Sequence, residues 1–172
     1  MNHGLKILLA AAGVLAWAGN AAADEPYRVP QTGNPALVAD APPGWTGQNI
    51  SGTEMAISSA DNLAILELAM ISDPAMVAKP LPDIAHQVFI NADLSPRWSS
   101  TEPDSIAGVP GQAFTVDIAR DGVAVGVARV IIAKLDAGHA ARLTEITLPK
   151  TTTPEELAAL KELVSHLRIS GR

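Results

Sequence analysis

"QAFTVDIARDGVAVGVARVIIAKLDAGHAARLTEITL", residues 112–148, decides the fold. Three alternating apolar runs are separated by two short breaks. In 112–120, Phe114, Val116 and Ile118 fall on one side, and Thr115 and Asp117 fall on the other. Asp121-Gly122 is a strong hairpin signal, because a type I′ turn needs positive φ at both central positions. The run 123–134 returns, Ala137-Gly138 breaks it, and 140–148 runs back, so the stretch is a three-strand antiparallel meander. Its middle run carries Val123, Val125, Val127, Arg129 and Ile131 on one side. Ala124, Gly126, Ala128, Val130 and Ile132 lie on the other. Neither side is solvated in character, which makes this strand central and covered on both sides. The small residues at 124, 126 and 128 let a helix lie close. Two-residue turns at both ends would place Arg129 opposite Phe114, where it either pairs with an acid or reaches the rim. They would also put Asp117 and Glu145 on one face.

Upstream of the meander, "RWSSTEPDSIA" (97–107) is extended and polar, and Pro103 marks it as an edge or broken strand. A helix is expected over 81–92, with Leu81, Ile84, Ala85, Val88, Phe89 and Ala92 on one side and Asp83, His86 and Gln87 facing away. Before it, "TEMAIS" (53–58) and "LAILELAMI" (63–71) alternate, with Leu66, Leu68 and Met70 on one face and Glu67 on the other. A turn pairing Ser58 with Leu63 would make Glu54 and Glu67 cross-strand neighbours. Earlier still, "ALVAD" (36–40) and "WTGQNI" (45–50) flank Pro42-Pro43-Gly44, a turn that stiffens the chain and aims Trp45 into the sheet edge. Downstream, Thr153, Pro154 and Glu156 form a capping box that opens a helix over 154–168. Leu157, Leu160, Val164 and Leu167 are its expected buried stripe. Lys161, His166 and Arg168 lie toward its C-terminal end, where the dipole favours positive charge.

The first 23 residues have the pattern of a secretory signal: Lys6, the apolar run Ile7 to Ala18, then small residues at Ala21 and Ala23. The competing reading, an uncleaved anchor, is disfavoured because the apolar run is shorter than the ~20 residues a spanning helix needs. Cleavage after Ala23 would leave 149 of the 172 residues, enough for one domain with a core of its own. Residues 24–35, with Pro26, Pro30, Gly33 and Pro35, are expected to be a flexible lead-in to a single domain over 36–172. The chain has no cysteine, which rules out disulfides, a thiol nucleophile and a lipidated cysteine. Only Lys6 among the basic residues belongs to the leader, so the formal charge goes from −6 to −7 on its removal. Such an acidic chain lacks the electrostatic term that nucleic-acid binding requires, and anionic membranes repel it.

The order strands, helix, meander, helix resembles the PsbP/Mog1-like superfamily, which includes bacterial exported proteins related to DcrB. The resemblance rests on "APPGW" (41–45), on "LAILELAMI" leading into a helix, and on the meander ending in "TPEELAALKELVSHLRIS". It spans residues 36–170 and implies an α+β fold: an antiparallel sheet of about six strands with helices on both faces, an α/β/α sandwich. It carries over no active site. Members are known mainly as partner-binding, chaperone-like or assembly factors.

Catalytic motifs are not evident. Neither a G-x-S-x-G, a P-loop nor a Rossmann glycine pattern is present. Asp83 and His86 have the spacing of a two-ligand metal pair but lack a third ligand, and a solvated helix face explains them better. His139 is read as exposed in a turn. Glu54, Glu67, Asp117 and Glu145 are the acids to watch: burial could set their pKa values apart, while the plainer reading leaves them solvated. The expectation is therefore a non-enzymatic exported protein without a cofactor, which binds a periplasmic or membrane-associated protein and does not bind nucleic acid. The alternative is a periplasmic protein that holds a small ligand or metal in a pocket between sheet and helix. The expected partner surface is Arg97, Trp98, Glu102 and Asp104 on the polar edge, beside the loop carrying Trp45. The competing and slightly favoured reading packs Trp98 inward over the helix, since tryptophan is as much a core residue as a hot-spot residue.

Overall fold

The computed structural model describes residues 25–87, 95–120, 123–148 and 151–171. Ten strands and three helices are defined within them. The strands are β1 (Tyr27–Val29), β2 (Ala36–Ala39), β3 (Thr46–Ser51), β4 (Glu54–Ser58), β5 (Ala64–Ile71), β6 (Ser95–Ile106), β7 (Val109–Arg120), β8 (Val123–Lys134), β9 (Ala140–Thr147) and β10 (Arg168–Ser170). The helices are α1 (Pro74–Val77), α2 (Leu81–Gln87) and α3 (Pro154–Ser165). Seven strands form one antiparallel sheet in the order β3-β4-β5-β9-β8-β7-β6. The expected count of about six is thus corrected to seven, with a second sheet, β1-β2-β10, beside them.

That second sheet changes the reading of the N-terminal lead-in. Tyr27–Val29 pairs with β2, and β10 pairs with the other side of β2. Arg28 fastens the assembly: its guanidinium donates to Ser170 Oγ at 2.7 Å, to Asn34 Oδ1 at 2.8 Å and to the Gly33 carbonyl. Three-residue strands carry too little periodicity to be found by alternation alone.

β8 is central, as its composition requires, and strand alternation sorts the core into two clusters. Ile131 and Ala133 of β8 join Leu66, Leu68 and Leu143, together with Leu160, Leu163 and Leu167 from α3 and its C-terminal end, and Leu37 of β2. Val130 and Ile132 join Phe114, Val116 and Ile118, together with Ile84 and Ala85 of α2. These are the Ile131 side and the Val130 side of the sheet. Ala128 joins the second cluster, where a small side chain admits α2. The buried stripe of α3 is Leu160, Leu163 and Leu167, with Val164 partly buried; Leu157 is exposed. The first turn of the helix therefore overhangs the core.

The capping box is formed as its sequence requires: Thr153 Oγ1 accepts from Glu156 N, and Glu156 Oε2 accepts from Thr153 N at 2.7 Å. Asp121 and Gly122, and the helix positions 88–92, lie outside the described residues. Arg120 nonetheless pairs with Val123.

Three register details decide which side chains meet. A bulge between Ala124 and Gly126 of β8, opposite Ile118 and Ala119, shifts the β7–β8 pairing by one, so Arg129 faces Thr115 rather than Phe114 and stands on the opposite side of the sheet from that ring. The β8–β9 connection pairs Lys134 with Ala140, so it is longer than a two-residue turn. The two departures cancel in parity, and Asp117 and Glu145 still share the Ile131 side. β4 and β5 pair Ser58 with Ile65, a shift of two that keeps Glu54 and Glu67 on one face but makes them diagonal neighbours.

Candidate functional site: a charged edge and a buried ionic cluster

The edge strand β6 presents Arg97, Glu102 and Asp104 on the Ile131 side. A bulge between Trp98 and Ser100 brings Arg97 onto the same side as Glu102 despite the odd spacing. Two strands inward, Arg129 gathers three acids. Its Nη2 donates to Glu102 Oε1 at 3.2 Å and to Asp104 Oδ2, and its Nη1 donates to Glu145 Oε1 at 3.3 Å. Gly111 lies between Asp104 of β6 and Ala133 of β8 in the register. Burial pushes the Glu145 carboxyl above its ordinary value, while the Arg129 guanidinium draws it back. The arrangement is a half-exposed ionic strip. It leaves charge and hydrogen-bonding capacity exposed along this edge of the sheet.

The five residues expected to form a partner surface do not converge. Arg97, Glu102 and Asp104 share the strip, and Arg97 and Glu102 are exposed. Trp98 points to the other side, opposite Val116. Its ring packs on His86 of α2 with centroids 4.4 Å apart, and edge-on against Phe114 at 6.0 Å. Trp98 is thus part of the packing between α2 and the sheet. Trp45 immediately precedes β3, at the opposite edge of the sheet. Six interstrand spacings of about 4.8 Å put it ~29 Å from β6. Trp45 packs against the Ile131-side cluster, and its N–H donates to the Pro42 carbonyl at 3.1 Å, closing the turn in which Gly44 has φ 82°. Its role in the fold is the one "PPGW" was expected to have. Its place beside the polar edge is corrected.

The expectation of solvated acids fails for Glu54, Glu67 and Glu145. Asp117 alone of the four is exposed. Glu54 of β4, Glu67 of β5 and Arg142 of β9 meet on the Val130 side, where Arg142 Nη2 lies 3.0 Å from Glu54 Oε1 and 3.7 Å from Glu67 Oε2. Arg142, Glu67 and Thr144 are buried. Sequence reading saw the two acids and missed their cation. The available signal was Arg142, the one charged residue on the side of this strand that also carries Ala140, Thr144 and Ile146.

Elsewhere, His139 is half-buried, with Nδ1 2.9 Å from Asp136 Oδ1 in the β8–β9 turn. Asp83 and His86 acquire no third ligand, and among the described residues no group of three or more His, Cys, Asp or Glu side chains is placed to hold a metal ion. An open groove of about 360 Å³ runs between β1 and the β3–β4 edge, lined by Glu25, Tyr27, Arg28, Gln31, Asn49 and Met55. It is bordered by strands, not by the helix the small-ligand reading invoked. No helix among the described residues is long and apolar enough to cross a membrane.

The sheet order and its helices define a PsbP/Mog1-like fold. The chain is similar to PsbP (CyanoP) from the cyanobacterium Synechocystis sp. PCC 6803, with a TM-score of 0.61 at 12% identity, over 91% of this chain and 99% of that one. It is also similar to LpqN of Mycobacterium tuberculosis, described as involved in cell envelope biogenesis, with a TM-score of 0.51 at 12% identity, over 84% of this chain and 90% of that one. No family model matches the sequence, and no curated protein matches it.

Proposed function

We propose that this chain is an exported, non-enzymatic binding protein of the cell envelope, an α/β/α sandwich covered by α2 and α3, which engages a protein partner through the ionic strip of β6. The observation that carries the reading is the strip itself. A 12-residue edge strand presents Arg97 and Glu102 to solvent, and Arg129, Asp104 and Glu145 stand behind them. Pro103 and the bulge near Ser99 obstruct indiscriminate strand pairing at that edge, leaving side-chain recognition as its means of contact. The leader pattern of residues 1–23 and the envelope role described for LpqN support export and an envelope setting.

Affinity purification from the native envelope, comparing wild type with Arg97→Glu/Glu102→Arg, tests this. Loss of a specific partner from the charge-swapped protein, with its melting temperature retained, is the expected result. An unchanged partner set would overturn the assignment of β6.

A further inference from the structure

The Val130 side of the sheet holds an ionic cluster whose charges do not balance. Arg142 is the only cation facing Glu54 and Glu67 among the described residues. It sits at hydrogen-bonding distance from Glu54 and at 3.7 Å from Glu67, which is ion-pair but not hydrogen-bond distance. Arg142 and Glu54 thus form the close pair, and Glu67 is the acid left over. Its surroundings offer little solvation. On its own strand the same-side neighbours are Ile65 and Ala69, and Ala56 and Thr144 stand directly across on β4 and β9. The Thr144 hydroxyl is fully buried and has no hydrogen-bond partner, and Arg142 Nε has none either. A buried carboxylate that shares its one cation with a closer acid is costly, and such groups take up a proton instead.

We propose that the Glu54–Glu67–Arg142 cluster is a proton-binding site, in which folding strengthens the hold of the buried Glu67 carboxyl on one proton. A neutral Glu67 presents an O–H donor beside the buried Thr144 hydroxyl while keeping a carbonyl acceptor. The segment covering this side brings Asp73, Lys79, Asp83 and His86. Asp73 caps α1 by accepting from Ala75 N at 2.9 Å, His86 packs on Trp98, and neither Lys79 nor Asp83 pairs with Glu67. Burial is the largest influence on Glu67 and raises its pKa above the ordinary 4.5; Arg142 opposes this and Glu54 adds to it. A raised carboxyl binds its proton more tightly in the folded chain than in the unfolded one. The stabilisation is therefore complete below 4.5 and is lost as pH rises through the folded value.

The test is chemical unfolding of wild type and Glu67→Gln from about pH 5 to about pH 9. Within the titration window, the wild-type unfolding constant should rise about tenfold per pH unit relative to that of Glu67→Gln. A pH-independent ratio between the two proteins overturns the proposal. Should Glu67→Gln not fold, the carboxyl-carbon NMR titration of Glu67 in the wild type decides. A midpoint above 4.5 is expected, and one at or below 4.5 contradicts the proposal.

Discussion

A methyl group is enough to test the packing at two glycines. A Cβ on Gly111 would lie 2.1 Å from the Ile132 carbonyl oxygen, and backbone in a central ladder has nowhere to go. Gly111→Ala should destabilise by well over the ~1 kcal/mol of an ordinary substitution, as measured by urea unfolding. A Cβ on Gly47 would meet the Tyr27 ring at 2.2 Å. That ring is a side chain and can swing aside, at the cost of the bond from Gly47 N to its hydroxyl at 2.8 Å. Gly47→Ala should therefore cost less than Gly111→Ala, and the opposite ranking would show the β3 edge to be the more rigid of the two. Arg129 is a third test. Arg129→Met leaves Asp104 and Glu145 facing one another without their cation, and should cost roughly 1–3 kcal/mol at neutral pH, discounted for the partial exposure of the site. Glu145 already titrates above its ordinary value, and losing Arg129 raises it further. The variant should thus recover toward wild type as pH falls through that range. Arg129 was legible in sequence as a cation within reach of acids. Its true partners were not, because the one-residue bulge in β8 decides which side it faces.

Among the elements, α3 was the most legible, since its start is encoded in three local choices at Thr153, Pro154 and Glu156. Thr153→Ala should remove about 1 kcal/mol, read as a lower melting temperature with no change in fold. Its buried stripe was legible only in part: Leu157 and Leu163 are equally apolar, and tertiary docking alone tells that Leu163 is covered and Leu157 is not. α1 and β10 escaped notice because four- and three-residue elements are specified by what they touch rather than by periodicity. α2 carries a prediction of its own. Trp98 lies between His86 and Phe114, so Trp98→Ala should lower thermal stability by about 2–4 kcal/mol. Full stability in that variant would return Trp98 to the list of surface candidates.

At the scale of the whole molecule, the meander made the antiparallel sheet and its two-sided central strand readable from residues 112–148 alone. Strand order was not readable in the same way. Nothing local states that β9 inserts between β5 and β8, and that insertion sends the Trp45 loop and the β6 strip to opposite edges. Long-range pairing also brings Arg142 of β9 to Glu54 and Glu67 of the consecutive strands β4 and β5. The functional reading depends on one edge of this sheet being the working edge. Site-specific photocrosslinking in the native envelope tests that most directly, with the probe placed at Glu102 on β6 or at Gln48 on β3. A discrete partner adduct from position 102 and none from position 48 is the predicted outcome; an adduct from position 48 alone, or none from 102, would contradict it.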